Sequence, residues 1–102
     1  MSVTENMAVH STARALGVPV ATLANKILKV QSDQGLTEMI PEGMARAWLA
    51  LPLFVDGTTL AVALADPSDK ILIADLARHT NRTIKPFAAS KTEILTAAGK
   101  AY

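Results

Sequence analysis

Apolar and polar positions are patterned most cleanly between residues 49 and 65. Leu-Ala-Leu-Pro-Leu-Phe-Val is followed by Asp56-Gly57-Thr58-Thr59 and then by Leu-Ala-Val-Ala-Leu-Ala. Two apolar runs about an Asp-Gly pair predict a β-hairpin, with antiparallel strands at about 49–55 and 59–65. In the second strand Leu60, Val62 and Leu64 point one way, and Ala61, Ala63 and Ala65 the other. A face of large side chains backed by a face of alanines suits a sheet that helices approach closely on the alanine side.

The period then changes to a helical one. Asp66 precedes Pro67, which favours extended backbone at Asp66. The expected helix runs over 67–79, with Asp66 as N-cap, Pro67 at the first helical position and Asp69 at the third. Its apolar face is wide, and Asn81 can close it in the left-handed conformation. A third strand is predicted at about 82–88. A last helix runs from Ser90, which forms a capping box with Glu93, to about Tyr102.

The N-terminal part is less regular. Residues 2–16 read as a helix, with Ser2 and Glu5 in capping-box positions and Gly17 and Pro19 ending it. Met7, Ala8, Ser11 and Ala15 give it a small-residue face for close packing. Residues 18–36 show no dominant period, and 31–35 read as a turn or loop. Residues 37–48 predict a short helix with Pro41 in its first turn, weakened at Gly43 by about 1 kcal/mol relative to alanine. On such a helix Ile40, Met44 and Trp48 share a face.

Topology follows from these elements. A short helical crossover makes the second and third strands parallel, with a right-handed connection. Pro52 and Pro86 confine the first and third strands to the edges, so the second is central. The expected fold is α/β: a three-stranded mixed sheet of order 1-2-3 packed with about four helices. It makes one domain over 1–102, with an N-terminal helix (1–17), an irregular segment and short helix (18–48) and a ββαβα core (49–102).

Composition narrows the chemistry. The 102 residues are 50% apolar but only 4% aromatic, so Ala, Leu, Val and Ile must build the core. No cysteine is present, which excludes disulfides and thiolate metal sites. A net charge of +1 provides no broad pull toward nucleic acid. No apolar run is long enough to insert in a membrane, and Glu5, His10 and Arg14 interrupt the start where a signal peptide needs an apolar stretch. A cytoplasmic domain is expected.

The Asp-Pro corner after the second strand resembles places where phosphates bind. Here "LADPSD" has no glycine and carries two carboxylates, which repel a phosphate. Asp66, Pro67 and Asp69, like Gly17, Asp56 and Gly57, are therefore read as structural residues. Gly99-Lys100 is followed by Ala101, where a phosphate-binding loop needs Ser or Thr. His10 and His79 lie in different elements without partners at metal-ligand spacing. No Gly-x-Ser-x-Gly elbow is present. No catalytic, cofactor or metal site is assigned, and no enzyme activity is expected.

The remaining candidates are contact residues. Arg78, Arg82 and Lys85 gather where the third helix passes into the third strand. They read either as a solvated face favoured by the helix dipole or as a docking patch for an acidic partner. Trp48, the only tryptophan, reads as a core residue beside Ile40 and Met44 or as an interface anchor.

In order and spacing these features resemble a known family. "LGVPV", "IPEGMARAW", "LPLFVDGTTLAVALADPSD", "DLARHTNRTIKPFAAS" and the closing Tyr102 look like the N-terminal domain of type II secretion and type IV pilus assembly ATPases, in the second, α/β half of the MshEN-like domain. The resemblance covers roughly residues 14–102. It implies a small α/β domain that does not itself hydrolyse ATP and that docks the motor to the cytoplasmic part of an inner-membrane partner. A protein of a secretion, pilus or motility apparatus is thus the expected partner. In some relatives a longer version binds cyclic di-GMP, mainly through two tandem motifs beginning Arg-Leu-Gly that precede the part matched here. This chain has only Arg14-Ala15-Leu16-Gly17, so a cyclic di-GMP site would be non-standard, with Arg14 as its nucleotide contact and Arg78 or Arg82 in support. No motor lies within these residues, so the chain is expected to be either an excised domain or a stand-alone adaptor that shares the fold.

Overall fold

The computed structural model describes residues 3–22, 28 and 35–102, with the side chains of the first helix described at residue 9 and from residue 11 onward. The elements are α1 (Val3–Leu16), α2 (Leu36–Met39), α3 (Glu42–Trp48), β1 (Ala50–Asp56), β2 (Thr59–Leu64), α4 (Lys70–Thr80), β3 (Thr83–Ala88) and α5 (Lys91–Ala101). The strands form one sheet of order β1-β2-β3. β1 and β2 are antiparallel, and β2 and β3 are parallel through α4. This is the mixed α/β sheet expected from the sequence. Among the described residues no helix is long and apolar enough to cross a membrane.

Hydrogen-bond phase explains both prolines. Ala65 N–H donates to the Leu49 carbonyl at 3.2 Å. Alternation along the antiparallel pair then turns the Pro52 nitrogen to the open side of β1, opposite Val62. On β3, Thr83 N–H donates to Thr58 and Ala89 N–H to Leu64, whereas Ala88 N–H donates to Pro19 at 2.8 Å. Pro86 shares the outward phase of Ala88, so neither proline removes a bond to the central strand. The Asp56↔Thr59 pairing leaves Gly57 and Thr58 as the turn. Gly57, with φ of 63°, takes the first turn position, where a two-residue hairpin requires it.

Both faces of the sheet are covered. On the alanine side Ala61 and Ala63 meet Ile94, Ala97 and Ala98 of α5, together with Leu51, Leu53 and Phe87. On the other side Leu60, Val62 and Leu64 meet Leu36 of α2, Ile40 between α2 and α3, Ala45 of α3 and Leu76 of α4. Leu51, Leu53, Leu60 and Leu64 are fully buried, each stabilising the fold by about 2 kcal/mol. A register shift between Pro52 and Phe54 brings Leu53 and Phe54 to the same alanine side.

Four expectations are corrected. The helix over 37–48 is two helices, because Pro41 holds Ile40 extended (φ −127°, ψ 96°) and itself becomes the N-cap of α3. The described residues therefore hold five helices rather than about four. The helix expected from Pro67 begins at Lys70 and is capped by Asp69, not Asp66. On α1, Ala13 is buried with Val9 and Thr12 half-buried, while Ser11 and Ala15 are exposed. The packing face is thus the i, i+3, i+4 set from Val9. The Ser2 cap, the side chains of Met7 and Ala8, and most of the 23–34 reading lie outside the described residues.

Candidate functional site

The Asp-Pro corner is closed by its own groups. The Asp66 carboxylate accepts from the Ser68 N–H at 3.2 Å and from the Ser68 hydroxyl. Asp69 N–H donates to the Asp66 carbonyl, and the Asp69 carboxylate accepts from Leu72 N–H at 3.0 Å. Pro67 is buried inside this turn rather than starting the helix. Three residues are spent on an Asx turn before the helix begins, which is why Asp69 does the capping.

The three cations next to one another in sequence do not form one surface. Arg78 is exposed on α4 and pairs with Asp75 one turn earlier. Arg82 reaches across to the hairpin, its guanidinium donating to the Gly57 carbonyl at 3.1 Å. Lys85 shares the phase of Phe87, which lies on the alanine side, and its Nζ stands 5.8 Å from the Phe87 ring centroid. Because α4 covers the opposite side, the sheet separates Arg78 from Lys85. Arg14 is exposed on the last turn of α1, toward the C-terminal end of β3, whereas Arg82 precedes its first residue. The length of a six-residue strand, roughly 17–20 Å, lies between those ends. Trp48 is half-buried against the core face that contains Ile40, with Met44 beside the same core.

Two concavities are lined by described residues. A cleft of about 220 Å³ lies between α1 and the C-terminal ends of β2 and β3, lined by Val9, Thr12, Ala65, Pro67, Ala89 and Lys91 among others. A more open groove of about 560 Å³ lies between α4 and the start of β3 and reaches Thr58 of the hairpin turn. Ile73, Ala77 and Ile84 give it apolar walls, with Lys70 and Arg82 also lining it. Among the described residues, no group of His, Cys, Asp and Glu is placed to hold a metal ion.

The comparison with family models decides the lineage, for residues 16–102 match the MshEN domain. This chain belongs to the MshEN domain family. Solved structures agree on the fold. A structure of MshE with cdg superposes at a TM-score of 0.81, is 24% identical, and covers 100% of this chain and 70% of that one. The N-terminal domain of XpsE gives 0.82 at 17% identity, covering 96% of this chain and 66% of that one. A second crystal form gives 0.77 at 18%, covering 96% and 67%. The chain thus spans about two thirds of these domains. No curated protein matches it.

Within this MshEN domain, the sequence did not reveal the part played by Tyr102. Its ring touches the cores on both sides of the sheet, and its hydroxyl donates to the Ile40 carbonyl between α2 and α3. Burial, reinforced by the nearby Glu42 charge, pushes the phenol up to about 12. Nothing local foretells a bond between residues so far apart in the chain. The α4 groove was also missed; its signal was Ile71 and Ala74 on the polar side of α4, of which Ile71 is 77% exposed.

Proposed function

We propose that this MshEN domain is a non-enzymatic docking and regulatory module that binds a protein of a secretion, pilus or motility apparatus. The observation that carries the reading is the family match over residues 16–102, joined to a fold shared with the N-terminal domain of XpsE. The molecule has suitable surfaces. The outer edges of β1 and β3 are blunted by Pro52 and Pro86, which limits open-ended strand addition while leaving short contact sites. Trp48 and the separate cations Arg78, Arg82 and Lys85 are the contact residues of this proposal. Pull-down with purified secretion and pilus ATPases and platform proteins tests it. Specific retention of one of them supports docking, and no specific retention removes it.

A second reading is favoured by one observation. Reading cdg as cyclic di-GMP, the structure of MshE with this ligand covers the whole of this chain. A site here would use the cleft beside α1, where Lys91 supplies a cation, with Arg14 on the last turn of the same helix. Arg82 stands at the other end of β3 and is too far along the strand to join it. Calorimetry with cyclic di-GMP tests this reading, and absence of heat at high ligand concentration ends it.

A further inference from the structure

We propose that the groove between α4 and the outer edge of β3 receives a short, extended, acidic and apolar segment of a partner protein, which adds beside β3 at Ile84. The proposal rests on the docking reading and specifies its surface and the chemistry of its partner.

The edge itself is competent to pair. At Ala88 it already accepts the chain's own 19–21 segment, with Ala88 N–H donating to Pro19 and Ala21 N–H donating to Ala88, both at 2.8 Å. Ile84 has the same outward phase, so its N–H and carbonyl face away from β2. Pro86, between them, offers a carbonyl but no donor. An added strand therefore finds the Ile84 pair and the Pro86 carbonyl, and is stopped where residues 19–21 hold Ala88. The site is short and has one register, unlike an aggregation-prone edge.

Side chains beside this edge set the chemistry. Ile73, Ala77 and Ile84 form an apolar wall facing the strand position. Exposed Ile71 and Ala74 continue apolar surface onto the outer side of α4. Lys70 and Arg82 also line the groove, and among the described residues no carboxylate lines it. Arg82 is held in place by its bond to the Gly57 carbonyl, which leaves its charge uncompensated there. Asp75, elsewhere on α4, is engaged with Arg78. A chain of net charge +1 thus concentrates positive charge beside an apolar strip and a strand position that no described residue fills. Alternating carboxylate and apolar side chains on an extended segment complement all three features.

The test is an amide-resolved NMR titration of the full chain with a short, end-blocked peptide of alternating glutamate and valine. A lysine–valine peptide of the same length is the control. The expected result is saturable shifts at Ile84, Ala74 and Ala77 with the glutamate peptide only. Lys70→Glu, at an exposed site, is expected to weaken binding about fivefold. Pairing at the edge is read separately, as slowed hydrogen exchange at the Ile84 amide. Equal response to the lysine peptide, shifts confined to another face, or no binding each overturns the proposal. If a protein retained in the pull-down shifts a different face, the docking reading stands and this surface alone is refuted.

Discussion

Tyr102→Phe separates one hydrogen bond from the packing around it. The variant keeps the ring that touches both cores and removes only the donor to the Ile40 carbonyl. Ile40 is fully buried, so the carbonyl loses a partner where water has poor access. A typical bond contributes about 1 kcal/mol, and a buried acceptor left unpaired costs about 1–3 kcal/mol. The expected loss is about 1.5 kcal/mol, or roughly 6–12 °C in Tm for a domain of this size. Tyr102→Ala also removes a half-buried ring and should cost about twice as much. Urea unfolding followed by circular dichroism measures both. A pH dependence provides a second check. The native phenol holds its proton to about 12 against 10 for the free group, because of burial and then the Glu42 charge. Between those values the native state binds more protons than the unfolded chain. This stabilisation is therefore complete below pH 10 and is lost as pH rises toward 12. The ring is partly solvated, so screening reduces the effect to about 1 kcal/mol. The gap between the natural chain and Tyr102→Phe should narrow over that range. A Tyr102→Phe protein within about 0.5 kcal/mol of the natural one, or a gap unchanged from pH 9 to pH 12, would refute the reasoning.

Asp69→Ala should cost about 1 kcal/mol through loss of the α4 cap and Asp66→Ala clearly less, since Asp66 closes only a local turn; equal costs in urea unfolding would restore Asp66 as the cap. At Asn81, with φ of 56°, alanine should cost about 1 kcal/mol and glycine almost nothing, read from the same unfolding curves. Ala63→Leu should destabilise by about 1–3 kcal/mol, because α5 brings Ala97 and Ala98 against the alanine face; a neutral result in thermal melts would mean that α5 stands farther off.

The sheet was legible because its signals are local and agree with one another. The alternation through Leu60–Ala65, the Asp56-Gly57 pair and the two prolines all specify a hairpin with β2 at the centre. What escaped was decided by competition between neighbouring residues. At 66–69 two acidic residues could cap one helix, and the Asx turn of Asp66 with Ser68 moves the helix start to Lys70. At 40–41 the helical spacing of Ile40, Met44 and Trp48 concealed the steric demand of Pro41 on its predecessor. All three still reach one core face, because the break redirects the chain without changing the side they pack on. For the candidate site, the individual residues were legible but their arrangement was not. Arg78 and Lys85 are near in sequence, and only the placement of α4 on the leucine side shows that the sheet divides them. The groove on α4 combines residues from a helix, a turn and a strand edge, which no single periodicity reports.

The central claim is that this MshEN domain works by binding a protein. The most direct measurement is an amide-resolved NMR titration of the labelled chain with the purified cytoplasmic part of an apparatus platform protein, run beside a titration with cyclic di-GMP. The account predicts saturable shifts over one contiguous face with the protein, and a spectrum unchanged by the nucleotide. Shifts with cyclic di-GMP around Arg14, Thr12 and Lys91, with none from the protein, would contradict it and make the domain a second-messenger receptor.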